Sequence, residues 1–179
     1  PARAMSKRPK TPAGLKEKEL IGLPWRLAFA LQESGWYLRS EIIWQKPNAQ
    51  PESVRDRVTR EHEQLFLLTK SPKYKYDIEA VKGPNGRRLR DVWTIKTRPN
   101  PYARGHFATF PEELVERCLK IATSENDVVL DPFLGSGTTA AVASKLGRKF
   151  VGTELNPDYI EIANTRLQHL GLKTKRVTR

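Results

Sequence analysis

Two periodicities and two stretches without either divide the chain. From Lys18 to Ser34, KELIGLPWRLAFALQES places Leu20, Leu23, Leu27, Ala28 and Leu31 on one helical stripe, with Gly35 as the stop. That spacing predicts a core-packing helix. WYLRSEIIW, Trp36 to Trp44, is aromatic and partly β-branched and is ended by Lys46 and Pro47, so it reads as a strand; EQLFLLTK, Glu63 to Lys70, reads as a second. KPNAQPESVRDRVTRE between them and SPKYKYDIEAVKGPNGRRLRDVWTIKTRPNPYARG after them are rich in Pro, Gly, Arg and Lys. Both are expected to be loops.

From Phe110 the pattern is regular. PEELVERCLKIA predicts a helix with Pro111 as first residue, DVVLDP a buried strand, TTAAVASKLG a helix closed by Gly147, and KFVGTEL a strand over 149–155. NPDYIEIANTRLQHL predicts a last helix with Asn156 as cap and Pro157 as first residue. A β-α-β-α succession implies that strands 128–131 and 149–155 run parallel. The fold class expected is α/β, a mixed, mainly parallel sheet with helices on both faces.

Composition narrows the partner. In 179 residues, 32 Lys+Arg against 20 Asp+Glu leave a formal charge of +12, which favours a polyanion, nucleic acid before membrane. No apolar run approaches the ~18 residues of a membrane span, and the basic start PARAMSKRPKTPAGLKEKE has no apolar signal core. A cytoplasmic, nucleoid-associated chain is therefore expected, with residues 1–17 as a mobile basic arm. Cys118 stands alone at helical spacing and reads as a small core residue.

The chemistry concentrates in VVLDPFLGSGTT, Val128 to Thr139. Gly135, Gly137 and Ala140 match G-x-G-x-x-A between a strand and a helix, and Glu154 follows Gly135 by 19 residues. Glycines let a backbone approach a ligand, a helix start offers N–H groups, and an acid accepts from ribose hydroxyls. Asp131 then selects among adenosine ligands. A carboxylate beside the turn repels a pyrophosphate but attracts the ammonium and sulfonium of S-adenosylmethionine. Gly137 is followed by Thr138, not by the Lys of a nucleotide phosphate loop.

With these motifs in hand, the sequence resembles the amino-methylating DNA methyltransferases of the permuted order, in which the cofactor motif comes last. DPFLGSGTT resembles that family's cofactor loop, HFATFPEELV (His106 to Val115) the segment closing over the methionine end, and TELNPDYIEIA its ribose-binding acid. GLPWRLAFALQESGWYLRSEIIWQKPNAQPES and HEQLFLLTKS resemble its middle section, so the likeness covers about residues 15–168. It implies a Rossmann-like methyltransferase fold over 18–179, a target-recognition loop at 71–105 and a cofactor-binding part at 106–168. It also implies S-adenosylmethionine held by Asp131, Pro132, Phe133, Gly135, Ser136, Gly137, Thr138 and Glu154, with His106, Ala108 and Phe110 on the other side. The activity implied is methyl transfer to the exocyclic amine of a flipped base, leaning to N4 of cytosine over N6 of adenine. A non-catalytic cofactor- and DNA-binding subunit is a further reading.

The family grips the amine with an Asp/Asn/Ser-Pro-Pro-aromatic motif, and no Pro-Pro occurs in this chain. The nearest look-alike, Asn156 to Tyr159, has ordinary capping duties. The resemblance therefore implies the downstream part of an enzyme, with mid-sheet strands and the catalytic motif supplied by an upstream segment or a second polypeptide, and a chain inactive by itself. Double-stranded DNA is the expected substrate. Lys46, Arg55, Arg57 and Arg60 in the first loop and Arg87, Arg88 and Arg90 in the second are candidates for phosphates or guanine edges, and Tyr74, Tyr76 and Trp93 for sugar or bases. Trp25, Trp36 and Trp44 read as core. His62 and His169 show no metal-ligand spacing, and no metal site is expected.

Overall fold

A computed structural model describes residues 11–99 and 109–175. Most of the N-terminal arm, His106 and Ala108, and 100–105 of the recognition loop lie outside the described residues. Helix α1 spans Leu23–Glu33, and Gly35 at φ 95° ends it, with the Trp36 N–H donating to the Leu31 carbonyl. The helix starts five residues later than the periodicity predicts. Pro24, which has no N–H, is tolerated only in a first turn, and Lys18 and Gly22 both take positive φ. Its stripe is not core either: Leu23 is 68% and Leu27 59% exposed, Leu20 is exposed too, and only Ala28 is buried. Among the described residues nothing covers the leucine side.

Strand β1, Tyr37–Gln45, pairs antiparallel with β2, His62–Thr69, with a register shift between Leu38 and Ser40. On the other edge β1 pairs in parallel with β3, Val92–Thr94. The sequence reading leaves β3 inside a loop, because three residues are too short for alternation to register. Tertiary contacts make the strand: Trp93 and Ile95 are buried with Trp44, Leu114 and Ile121. The Trp44 indole donates to the Ile95 carbonyl at 2.9 Å and that of Trp93 to the Arg90 carbonyl at 2.8 Å. Trp93 is thus a core residue rather than a contact for bases. Trp44 is core as expected; Trp25 and Trp36 are half-buried, Trp36 under the Lys70 ammonium at 4.0 Å.

Helix α2, Glu112–Ala122, follows Pro111, which is its cap rather than its first residue. One side of α2 (Leu114, Ile121, Cys118) packs on the β1 sheet, and another (Val115, Leu119) packs with Val129, Val142 and Ala143. The helix thereby joins the two halves of the fold. Strand β4, Val128–Asp131, helix α3, Thr138–Lys145, strand β5, Lys149–Gly152, and helix α4, Pro157–His169, complete the chain. β4 and β5 are parallel, in register from Val128 against Lys149 to Asp131 against Gly152. Gly147 at φ 74° closes α3, and Asn156 caps α4 by accepting from the Asp158 N–H. β5 stops three residues early, where Thr153 and Leu134 turn their hydrogen bonds onto the loop. β4 is not a buried strand: Val129 is buried, but Val128 is 62% and Leu130 64% exposed. The architecture is Rossmann-like, with its strands in two sheets, ordered β2-β1-β3 and β4-β5.

Candidate functional site

The turn from Asp131 to Thr138 is built from backbone constraints. Asp131 Oδ1 accepts from the Phe133 N–H at 2.9 Å, and the Thr153 hydroxyl donates to the Pro132 carbonyl at 2.7 Å. Leu134 N–H donates to the Thr153 carbonyl at 2.9 Å, and the N–H of Gly137 to the Leu134 carbonyl at 2.9 Å. Gly135 and Gly137 hold φ of 53° and 77°, a region that disfavours side chains. Gly137 has a second reason to be glycine: a Cβ there would stand 3.1 Å from Ala163 Cβ on α4. Ala140 is fully buried beside Leu167, which explains the small third residue of the motif.

Glu154 is half-buried and grips the turn from the β5 side. Its Oε2 accepts from the Gly135 N–H at 2.8 Å and its Oε1 from the Asn156 N–H at 2.9 Å. A carboxylate has about four acceptor sites, so it can fix the turn and still accept from a ligand. Phe133 in the turn is 84% exposed, and Leu155, next to Glu154, is 99% exposed. Gly137 caps α3 without a side chain, so the helix N–H groups face no built-in oxygen.

Two residues that sequence reasoning passes over organise the base of the turn. Arg166 on α4 is buried; its guanidinium donates to the Ser136 carbonyl, to Thr138 Oγ1 and to Glu112 Oε1. Lys145 donates to the other Glu112 oxygen at 2.7 Å. Burial pushes the Glu112 carboxyl up, but the hydrogen bonds and charges of Lys145 and Arg166 outweigh it and hold it below the ordinary range. The available signal was an arginine inside an apolar stripe, between Ala163 and Leu167, which needs an acid to pair with.

Phe110 is exposed just ahead of helix α2. It lines a cleft of about 960 Å³ with Trp44, Lys46, Asn48, Arg60 and Arg98. Among the described residues, none of its lining comes from Asp131 to Thr138. Of the basic candidates, only Lys46 and Arg60 reach the cleft. Lys46 is committed to Glu63 and lies 4.5 Å over the Trp44 ring, and Arg57 pairs with Glu52 at 2.6 Å. Arg55, Arg87, Arg88 and Arg90 are exposed on the two loops, and Tyr74 and Tyr76 are exposed as an edge-to-face pair. Among the described residues no three His, Cys, Asp or Glu side chains group as metal ligands, and no helix is long and apolar enough to cross a membrane.

A glycine turn between a parallel strand and a helix, with an acid after the next strand, is the arrangement with which Rossmann-like folds meet nucleoside ligands. The chain belongs to the N6/N4 DNA methylase family: the N6_N4_Mtase profile, described as DNA methylase, matches residues 4–165. It is 60% identical over 172 residues to the Type II methyltransferase M.Cfr9I of Citrobacter freundii, a match over 94% of this chain and 57% of that protein. To M.SmaI of Serratia marcescens it is 54% identical, over 92% of this chain and 58% of the relative. The chain thus spans somewhat more than half the length of these relatives. Among solved structures, it resembles the cytosine-N4-specific PvuII DNA methyltransferase with a TM-score of 0.71 at 25% identity, covering 80% of this chain and 56% of that one. It resembles the complex of M1.HpyAVI with S-adenosylmethionine with a TM-score of 0.67 at 31% identity, covering 81% and 69%.

Proposed function

We propose that this chain is the cofactor- and DNA-binding part of a site-specific DNA methyltransferase that moves a methyl group from S-adenosylmethionine to the exocyclic amine of a flipped base, N4 of cytosine. The observation that carries the reading is the Asp131–Thr138 turn fastened by Glu154, in a chain of the DNA methylase family. The donor, when bound, supplies a methyl group on a positively charged sulfur. The residues fit such a ligand. Asp131 and Glu154 attract cationic and hydroxyl groups, the helix α3 start is free of a side-chain cap, and Phe133 offers an exposed ring. The two carboxylates disfavour a pyrophosphate.

The cytosine target is supported by the likeness to the PvuII enzyme; N6 of adenine is the alternative. Arg60 at the cleft and the exposed Arg55, Arg87, Arg88 and Arg90 supply cations for a DNA backbone, joined by Lys46 and Arg57 if DNA displaces their acidic partners. His106, Ala108 and Phe110 are proposed to close over the donor's methionine end. The amine grip, for which the 179 residues contain no Pro-Pro, is proposed to come from an upstream segment or a second polypeptide.

Titration calorimetry with S-adenosylmethionine tests the donor site. Glu154→Ala is expected to weaken binding by about 1–3 kcal/mol, since it removes charge-assisted hydrogen bonds to ligand and turn alike. Equal affinities for wild type and variant would sink the assignment. Nucleoside mass spectrometry of DNA methylated by the chain together with the segment supplying the amine grip then reads the target, N4-methylcytosine being the outcome expected and N6-methyladenine the one that selects the alternative.

A further inference from the structure

The donor turn rests on a buried charge that belongs to another element. Arg166, on the third turn of α4, is only 4% exposed. Its Nη1 donates to the Ser136 carbonyl at 3.3 Å and to Thr138 Oγ1 at 2.9 Å, and its Nη2 to Glu112 Oε1 at 2.7 Å. Ser136 and Thr138 flank Gly137, the residue that takes φ 77° at the start of α3. Glu112 is the first residue of α2, directly after Phe110 and Pro111. Its second oxygen takes the Lys145 ammonium from the end of α3.

One guanidinium therefore fastens both sides of the glycine that opens α3, and ties them to the start of the helix that follows the other proposed donor-contacting segment. A buried charge demands partners, and the planar fork of arginine fixes their directions as well as their number. A lysine would keep the charge but not the two-armed geometry. Gly137 by itself supplies no rigidity, since glycine has the widest conformational choice of any residue. Something else has to hold the turn in its one shape.

We propose that Arg166, with Glu112 as its counter-ion, is a positioning residue for the methyl donor, setting the Ser136–Thr138 backbone and the α2 start in one fixed arrangement without touching the ligand. This rests on the reading of the turn as the donor site. The preorganised turn spares the donor the cost of ordering it, so loss of the arginine raises the dissociation constant rather than merely lowering the melting temperature.

The test is calorimetric titration of the full-length protein with S-adenosylmethionine, each variant held well below its own melting temperature. Arg166→Gln is expected to bind about tenfold or more weakly and Glu112→Gln less severely, since each breaks a charged hydrogen bond. The double variant is expected to lose less than the product of the two, because both break the same link. Arg166→Lys should recover part of the affinity. Ile121→Ala, a core deletion on the far end of α2, should lower the melting temperature and leave the dissociation constant within about twofold. If Arg166→Gln does not fold, Arg166→Lys and Glu112→Gln decide alone. Wild-type affinity in both the Arg166 and the Glu112 variants overturns the positioning role while leaving the donor site intact. Failure of the wild type itself to bind would instead remove the functional reading and this inference with it.

Discussion

Gly137 carries two demands at once, a left-handed backbone and a close approach to α4, with a Cβ falling 3.1 Å from Ala163 Cβ. Gly137→Ala should therefore cost about 1–3 kcal/mol of stability from backbone strain and crowding, read as a lower melting temperature. It should also weaken donor binding in the same titration. Cys118 makes a contrasting prediction. Burial pushes its thiol up to about 11, so it stays protonated at neutral pH and should resist alkylation in the folded protein while reacting freely in denaturant. Rapid labelling at pH 8 without denaturant would contradict its packing between α2 and the β1 sheet. At this scale the sequence was most legible where a residue type answers a local requirement. Gly135, Gly137, Asn156 and Glu154 sit where spacing puts them because turns, caps and strand ends are short-range. Arg166 and Glu112 lie 54 residues apart, and nothing local announces that they meet.

Elements were legible in proportion to their length. α2, α3 and α4 satisfy a helical period over eight or more residues, and the two long strands are rich enough in aromatic, β-branched and apolar residues to be seen. β3 was hidden because three residues carry no period; the burial of Trp93 and Ile95, not propensity, makes the strand. What periodicity cannot tell is what an apolar face touches. The leucines of α1 and the Val128 and Leu130 side of β4 have the pattern of core and the exposure of surface. Helix α2 yields a prediction of its own. The Glu112 carboxyl is held below its ordinary value, so its contribution to stability is complete above about the usual 4.5 and is lost as pH falls through the lower folded-state value. Glu112→Gln should lower the melting temperature at pH 6–7 and narrow its gap to the wild type as the pH falls from about 4.5 toward that lower value. A gap that stays constant down to pH 3 would show that the Lys145 and Arg166 contacts do not stabilise the ionised form.

At the scale of the whole molecule, charge and exposed apolar surface point the same way. The net charge of +12 accompanies exposed arginines on the 46–61 loop and the 82–90 hairpin. If both touch DNA, replacing Arg87, Arg88 and Arg90 by Ala should flatten the salt dependence of binding by roughly one unit of slope per lost phosphate contact. An unchanged slope would place the DNA face elsewhere. The apolar surface bears on catalysis. Transfer requires the amine within about 3 Å of the donor methyl and in line with its sulfur, which a donor site alone cannot arrange. This chain has the proposed donor turn, no Pro-Pro motif and, among the described residues, two separate small sheets and a β4 strand with an apolar exposed side, and it spans 57% of the length of M.Cfr9I. Strands carrying the amine grip would account for the missing motif, the split sheets and the exposed apolar side together if they lay against β4 and the leucines of α1, covering apolar area and pairing an open edge. The 179 residues incubated with DNA and labelled S-adenosylmethionine should then give no turnover. Supplying the proposed upstream segment should restore incorporation and protect the Leu130 amide from hydrogen exchange. Incorporation by the chain alone would place the amine grip inside these residues, and substitution of Asn156, whose Asn-Pro-Asp-Tyr run is the nearest match to the missing motif, would be the next experiment.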